Sequence, residues 1–341
     1  MSKEVDKIFD LYSKLTKEQI IEFNRRFSGG SGDMEAFMKD ARFAAGHCCP
    51  FCGSVAVSKN GKRSDGVQRY ICKDCGKSFT VRSNSIVARA HKDMNTWESF
   101  IECMMNGLSL RKTAEICGIN KNTAFVWRHK VLDVLQNMMS DVVLDGIVEA
   151  DETFFPISYK GNHKNSKTFK MPRKARHHGG GIRKRGISKE QVCVPCAVNR
   201  SGMSYSKVSN LGHITIDELH AVFDDRITDT AELCTDKMSS YRTFANDNGL
   251  TLHQFKLKEP VKGIYSIQHI NNYHSTLKHF MYKFRGVSTK YLNNYLVWNN
   301  LVNYSKDTYT QKKALMLRYC LTYPQEVLGK TLRDREPIPL V

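Results

Sequence analysis

The chain has 341 residues, 41% hydrophobic and 25% charged, a balance that excludes a mostly disordered or collagen-like protein. Basic residues outnumber acidic ones 52 to 34, and the net charge of +18 points to a polyanionic partner, nucleic acid or an anionic surface, rather than to an ordinary metabolic enzyme. No apolar run approaches the roughly 18 residues of a membrane span, and Met1–Asp6 alternates charge instead of opening a secretory signal, so a cytoplasmic location is expected.

From the N-terminus, residues 4–45 predict two amphipathic helices joined by Gly29-Gly30-Ser31-Gly32, with Ile8, Leu11, Leu15, Ile20, Ile21 and Phe23 at helical spacing. They read as a helical cap or interaction arm. Residues 48–82 then form two matching knuckles, Cys49-Pro50-Phe51-Cys52-Gly53 and Cys72-Lys73-Asp74-Cys75-Gly76, with nineteen residues between Cys52 and Cys72. That spacing suits zinc, and four thiolates close a tetrahedral shell. Cys49, Cys52, Cys72 and Cys75 are therefore expected to hold a structural Zn2+ with no open position for chemistry. Val55-Ala56-Val57 and Arg69-Tyr70-Ile71 read as strands, with Asn60-Gly61 as a turn signal. Lys59, Lys62, Arg63, Arg69, Lys73, Lys77 and Arg82 make the ribbon basic, as contact with DNA or RNA would require.

An all-helical stretch follows. Asn95-Thr96-Trp97-Glu98 reads as a capping box, with Trp97, Phe100, Ile101 and Met104 as the apolar stripe behind it. Ser109–Ile116 gives a short helix, Cys117-Gly118-Ile119 a tight turn, and Asn120 a cap for a longer helix to about Leu135. The pattern suits a helix-turn-helix over residues 90–140. In that reading Lys121, Asn122, Thr123 and Arg128 face the DNA major groove, while Val126, Val131, Leu132 and Leu135 pack inward. A helical hairpin with no DNA role is the alternative.

From Asp145 onward the pattern is α/β. Gly146–Asp151 reads as a buried strand ending in acid, Gln191–Val198 as a second, Ser204–Val208 as a third and Ala231–Asp236 as a fourth, again ending in acid. Helices are expected over Ile216–Phe223, from about Ser239, and from about His269 to Tyr304. This order argues for a mixed sheet covered by helices. Open α/β sheets place their sites at the C-terminal ends of strands, where Asp151 and Asp236 are predicted to stand. Two carboxylates there, in a basic protein, suit Mg2+ or Mn2+ acting on phosphodiesters. Asn271, His274 and Lys278 share one helix face at i, i+3 and i+7. Cys193 and Cys196, within one strand, point to opposite faces and cannot share a metal. Glu149 shares the Asp151 face, either supporting the site or serving as a buried ion-pair partner, and Glu152 points the other way.

Glu149–Phe154, Cys234-Thr235-Asp236, His269–Lys278, Phe284–Leu292 and Asn199-Arg200-Ser201-Gly202, together with the ribbon and the helix-turn-helix, resemble the transposases of zinc-ribbon-bearing bacterial insertion sequences. These form a branch of the DDE superfamily with a ribonuclease-H-like catalytic fold. The resemblance covers residues 46–305. It implies a metal-binding triad of Asp151, Asp236 and a third residue seven positions before a lysine, which places Asn271 before Lys278. Most of the superfamily has glutamate there, so this site carries one negative charge fewer, and His274, one turn on, is the alternative ligand. The resemblance further implies cleavage at the element ends, attack of the freed 3′-hydroxyl on target DNA, Lys278 on a substrate phosphate, and a homodimer or larger synaptic assembly.

The insert 160–188 carries ten basic residues and no acidic one, among them Arg173, Lys174, Arg183, Lys184 and Arg185, and is expected to contact DNA. The domains so read are 1–46 helical, 47–82 ribbon, 90–140 helix-turn-helix, 141–310 catalytic and 311–341 a C-terminal helix and tail. A DNA-binding regulator with an inactive catalytic domain and a structure-selective nuclease are two further readings of the same residues.

Overall fold

A computed structural model of the chain describes residues 34–44, 46–161, 186–256, 261–305 and 307–340, together with Thr16, Glu18 and Gln19. The first expected N-terminal helix lies outside the described residues. So does most of the basic insert, including Arg173, Lys174, Arg183, Lys184 and Arg185. The protein divides into two compact units, with boundaries at Val134/Leu135, Asp307/Thr308 and Leu332/Arg333. No helix among the described residues is long and apolar enough to cross a membrane.

The first unit opens with α1 (Met34–Arg42) and a three-stranded antiparallel ribbon of β1 (Val57–Lys62), β2 (Gln68–Cys72) and β3 (Ser78–Phe79). Tyr70 on β2 is buried, stacked on Phe79 at 5.5 Å and met edge-on by Phe43 at 5.2 Å. Asn60-Gly61 does not make the hairpin turn. It lies inside β1, where the register slips between Lys59 and Lys62, and the chain reverses at the Arg63–Val67 backbone bond. An Asn-Gly pair serves a bulge as readily as a turn, since both need a residue free of β geometry.

Helices α2 (Met94–Met105), α3 (Leu110–Ile116) and α4 (Lys121–Met139) follow. Trp97, Phe100, Ile101 and Met104 are fully buried, as their spacing predicts. Trp97 stacks on Trp127 of α4 at 3.7 Å, and Phe100 meets Trp127 edge-on at 5.4 Å. The cap of α2 is Asp93, two residues before the expected Asn95; its carboxylate accepts from the Thr96 N–H. Ser109 caps α3, and the Asn120 side chain accepts from the Asn122 N–H at the start of α4. Late in the chain, α9 (Tyr309–Thr322) returns to this unit: Lys313 pairs with Glu98 at 3.2 Å and Glu102 at 3.3 Å on α2.

The second unit is built on β4 (Ile147–Pro156), β5 (Gln191–Asn199), β6 (Ser204–Ser206), β7 (Glu232–Asp236) and β8 (Thr251–Phe255), in the order β6-β5-β4-β7-β8. The β6-β5-β4 half is antiparallel and the β4-β7-β8 half parallel. Helices α5 (Ile216–Phe223) and α6 (Ser239–Asp247) cover one face; Leu219, Phe223, Tyr241 and Phe244 pack there with Val148, Ala150, Cys193 and Leu233. Helices α7 (Gln268–Tyr282) and α8 (Leu292–Asn303) cover the other; Ile270, Tyr273, Leu277 and Leu296 pack there with Val194, Cys196 and Val198. Burial on both faces explains why β5 reads as an unbroken apolar run, and it places Cys193 and Cys196 in different cores.

Two features of the sheet differ from the sequence reading. β8 was not anticipated, because Thr251-Leu252-His253-Gln254-Phe255 lies at the sheet edge and is only half-buried along most of its length. β4 also runs five residues past Asp151, because β5 accompanies it from Val148 to Pro156. Its partnership with β7, however, covers only Ile147–Glu149. Asp151 therefore lies where the two parallel strands part.

Candidate active site

Side chains alternate along a strand, so Glu149 and Asp151 share one face of β4, and the pairing of Glu149 with Cys234 puts Asp236 on that same face of β7. Two residues beyond the last paired position, Asp151 and Asp236 are near enough for their charges to act on each other, with His274 of α7 alongside Asp151. Burial, then the neighbouring Asp236 charge, pushes the Asp151 carboxyl up to about 6, with Lys278 opposing. The Asp236 carboxylate accepts from the Met238 N–H at 2.9 Å, which fixes the turn into α6.

On α7, His274 is buried with its Nδ1 3.7 Å from Asp151 Oδ2. Burial, followed by the Lys278 charge, lowers its pKa to about 4, so the imidazole is neutral near pH 7; its buried Nε2 has no hydrogen-bond partner among the described residues. Asn271, one turn earlier, is exposed and its amide makes no hydrogen bond among the described residues. Lys278 is exposed, and its charge acts on both Asp151 and His274. Glu152, on the opposite face, is partly buried beside Tyr241; burial first, then the Asp151 and Asp236 charges, push its carboxyl up to about 7, with the Tyr241 hydroxyl opposing. Asp151 and Asp236 offer carboxylate oxygens on one face of the sheet, a donor type that suits a hard divalent ion.

Glu149 is the residue whose importance the sequence understated. It is fully buried, and its ion-pair reading holds: Oε1 lies 2.9 Å from Arg200 Nη2, 2.9 Å from His269 Nδ1 and 3.0 Å from Ser266 Oγ. Oε2 accepts from the backbone N–H groups of His269 at 2.7 Å and Ile270 at 3.0 Å. Arg200 stands in the Asn199–Gly202 turn, where the side-chain Oδ1 of buried Asn199 accepts from the Met203 N–H and the Ser201 hydroxyl. The charge of Arg200, next to a turn signal, was the available clue.

The four knuckle sulfurs lie within 4.8 Å of one another, and among the described residues they are the one such gathering of Cys, His, Asp or Glu donors. Cys49–Cys75 and Cys52–Cys72 stand 3.7 and 3.6 Å apart. A tetrahedral zinc with bonds of about 2.3 Å spaces its sulfurs about 3.8 Å apart. Gly53 and Gly76, following each knuckle, have φ of 75° and 67°, the left-handed turn that glycine permits. Backbone N–H groups of Cys75 and Asp74 favour the Cys72 thiolate, whose pKa falls to about 6.

At the start of α4, Lys121 and Asn122 are exposed and Thr123 is half-buried. Arg128 is not available to a groove. It is 1% exposed and donates to the Leu108 carbonyl at 2.8 Å, filling the acceptor left at the α2–α3 turn. Two turns into α4 the helix is enclosed, every residue from Trp127 to Leu135 except Lys130 being buried. Val126 is half-buried rather than core, whereas Val131, Leu132 and Leu135 are fully buried as expected.

A five-stranded mixed sheet with helices on both faces and an acidic pair on adjacent parallel strands defines a ribonuclease-H-like catalytic domain. The ISXO2-like transposase domain family matches residues 143–298, and the transposase zinc-ribbon domain family matches residues 32–78. Together the two matches support an insertion-sequence transposase that carries a zinc ribbon. A solved pre-cleavage Mos1 transpososome is similar at 11% identity and a TM-score of 0.22, covering 94% of this chain and 96% of that one, a likeness too slight to carry an argument.

Proposed function

We propose that this transposase binds the ends of its element, cleaves them in a divalent-metal-dependent reaction and joins the freed 3′-hydroxyls to target DNA. What supports this reading is that Asp151 and Asp236 share one face of the sheet, near enough for their charges to interact, beside the helix bearing Asn271, His274 and Lys278. Asp151, Asp236 and Asn271 would hold Mg2+ or Mn2+. Asn271 is favoured as third ligand because its amide is exposed and uncommitted, whereas His274 is buried against Asp151. When bound, the metal activates water or hydroxyl as nucleophile and stabilises the departing oxygen.

The remaining work falls to the protein's own groups. Neutral His274 lies against the Asp151 carboxylate and limits its access to water, and Lys278 contacts a substrate phosphate as a point charge. Lys121, Asn122 and Thr123 meet DNA from the helix-turn-helix, and the exposed ribbon residues Lys59, Lys62, Arg63, Arg69, Lys73 and Lys77 track its backbone. The insert residues Arg173, Lys174, Arg183, Lys184 and Arg185 add charge for the same partner. Two ends brought together require at least a dimer.

The test is strand transfer by purified protein on duplexes carrying the element's ends, with and without Mg2+. Asp151→Ala and Asp236→Ala are expected to abolish both cleavage and joining. Asn271→Ala is expected to raise the metal requirement, and His274→Ala to lower the rate at saturating metal. Binding without cleavage by the parent protein would favour a regulator, and cleavage without joining a nuclease; either outcome overturns the proposal.

A further inference from the structure

The function proposed above requires α7 to stand at one height and rotation relative to β4, and its entry is weakly capped: Ile267, at the N-cap, makes no side-chain capping bond, and Ser266 Oγ accepts from the Gln268 N–H only at 3.5 Å. We propose that Glu149 is the positioning residue for this helix, setting Asn271, His274 and Lys278 in register with Asp151 from inside the same strand. Its carboxylate takes the free N–H groups of His269 and Ile270, the two residues before Asn271, while Arg200, Ser266 and the His269 ring complete its shell.

The spacing supports the role. From Glu149 to Asp151, β4 advances about 6.6 Å. From the His269–Ile270 pair to His274, α7 advances about 6–7.5 Å. Strand and helix thus climb in step, and pinning the first turn to Glu149 brings His274 level with Asp151. A slip of one residue would carry His274 about 1.5 Å along and about 100° around the axis, away from the carboxylate. A fully buried anion with five donors tolerates little displacement, which makes it a firm reference point.

The experiment compares the full-chain parent with Glu149→Gln and with the milder His269→Ala, which removes the half-exposed ring donor but keeps both backbone N–H bonds. Three quantities are read: hydrogen exchange along 266–275, the melting temperature, and the Mg2+ concentration giving half-maximal cleavage. In Glu149→Gln the first turn of α7 is expected to exchange faster while β4 and β5 stay protected. The half-saturating Mg2+ concentration should rise roughly 10–100-fold, as for lost supports behind metal ligands, with a smaller change in rate at saturating metal. His269→Ala should move both readouts the same way by less, and it decides the matter alone if Glu149→Gln fails to fold. An unchanged metal requirement, with or without a lower melting temperature, would reduce Glu149 to a core ion pair and overturn the proposal. Absence of metal-dependent cleavage by the parent would instead sink the proposed function, leaving the exchange comparison to decide whether Glu149 holds α7.

Discussion

Replacing Asp151 by asparagine is expected to abolish cleavage and, without metal, to make the protein more stable near neutral pH. The carboxyl ionises at about 6 in the folded chain against 3.8 as its ordinary value, chiefly because it is buried and next because Asp236 lies beside it. Two pH units correspond to about 3 kcal/mol at 1.36 kcal/mol per unit. The side chain keeps 30% of its exposure, so solvent screening reduces the recoverable amount to about 1–2 kcal/mol. For a domain of this size that is a rise in melting temperature of about 3–6 °C. Its pH dependence has a definite sign. Below about pH 4 the carboxyl is protonated whether folded or not, and ionisation costs nothing. The cost grows as pH rises through 6 and is complete above it. Melting curves in EDTA at pH 7.5 and pH 4 should therefore show the Asp151→Asn gain at the first pH and little at the second. The reasoning fails if the variant melts at or below the parent at pH 7.5, or if the gain is equal at both.

Three other outcomes follow from the geometry. Arg128→Ala should destabilise the first unit by about 2–4 kcal/mol, since it opens a cavity and strands the Leu108 carbonyl, whereas Lys121→Ala should change stability by less than about 0.5 kcal/mol and instead lower the salt dependence of DNA binding by about one unit; thermal melts and binding isotherms at several salt concentrations separate the two. Cys72→Ser, or a strong chelator, should release the ribbon's zinc and unfold residues 47–82 while the sheet of the second unit keeps its own transition, checked by metal analysis and hydrogen exchange. Trp127→Ala should cost about 3–5 kcal/mol by removing the stack on Trp97 and the edge contact with Phe100, read from denaturant melts.

Local signals carried much of this far in advance. The cysteine spacing specifies the ribbon because zinc geometry leaves few alternatives, and the apolar run of β5 announces a strand buried on both sides. Asp151 and Asp236 were legible as a pair because each closes a hydrophobic stretch, although β4 continues past its aspartate for a reason visible only in its pairing with β5. What stayed hidden was non-local. Arg128 sits at groove-facing spacing on a helical wheel, yet its fate depends on a carbonyl twenty residues earlier. Glu149 reads as one more acid before Asp151, yet its partners lie 51 to 121 residues away. β8 is an edge strand whose half-polar composition gives no periodic signal, and its existence follows from β7 needing a parallel neighbour.

The return of α9 to the first unit has a consequence for how the molecule comes into being. Lys313 reaches back across 211 residues to Glu102, so the helices that would read DNA are left without their last packing partner while the entire catalytic sheet is translated. At about 5–20 residues per second that interval is roughly 10–40 s. On a ribosome-bound chain the helix that closes the first unit is therefore made only after the whole sheet of the second, and the earliest segment to emerge is among the latest to mature.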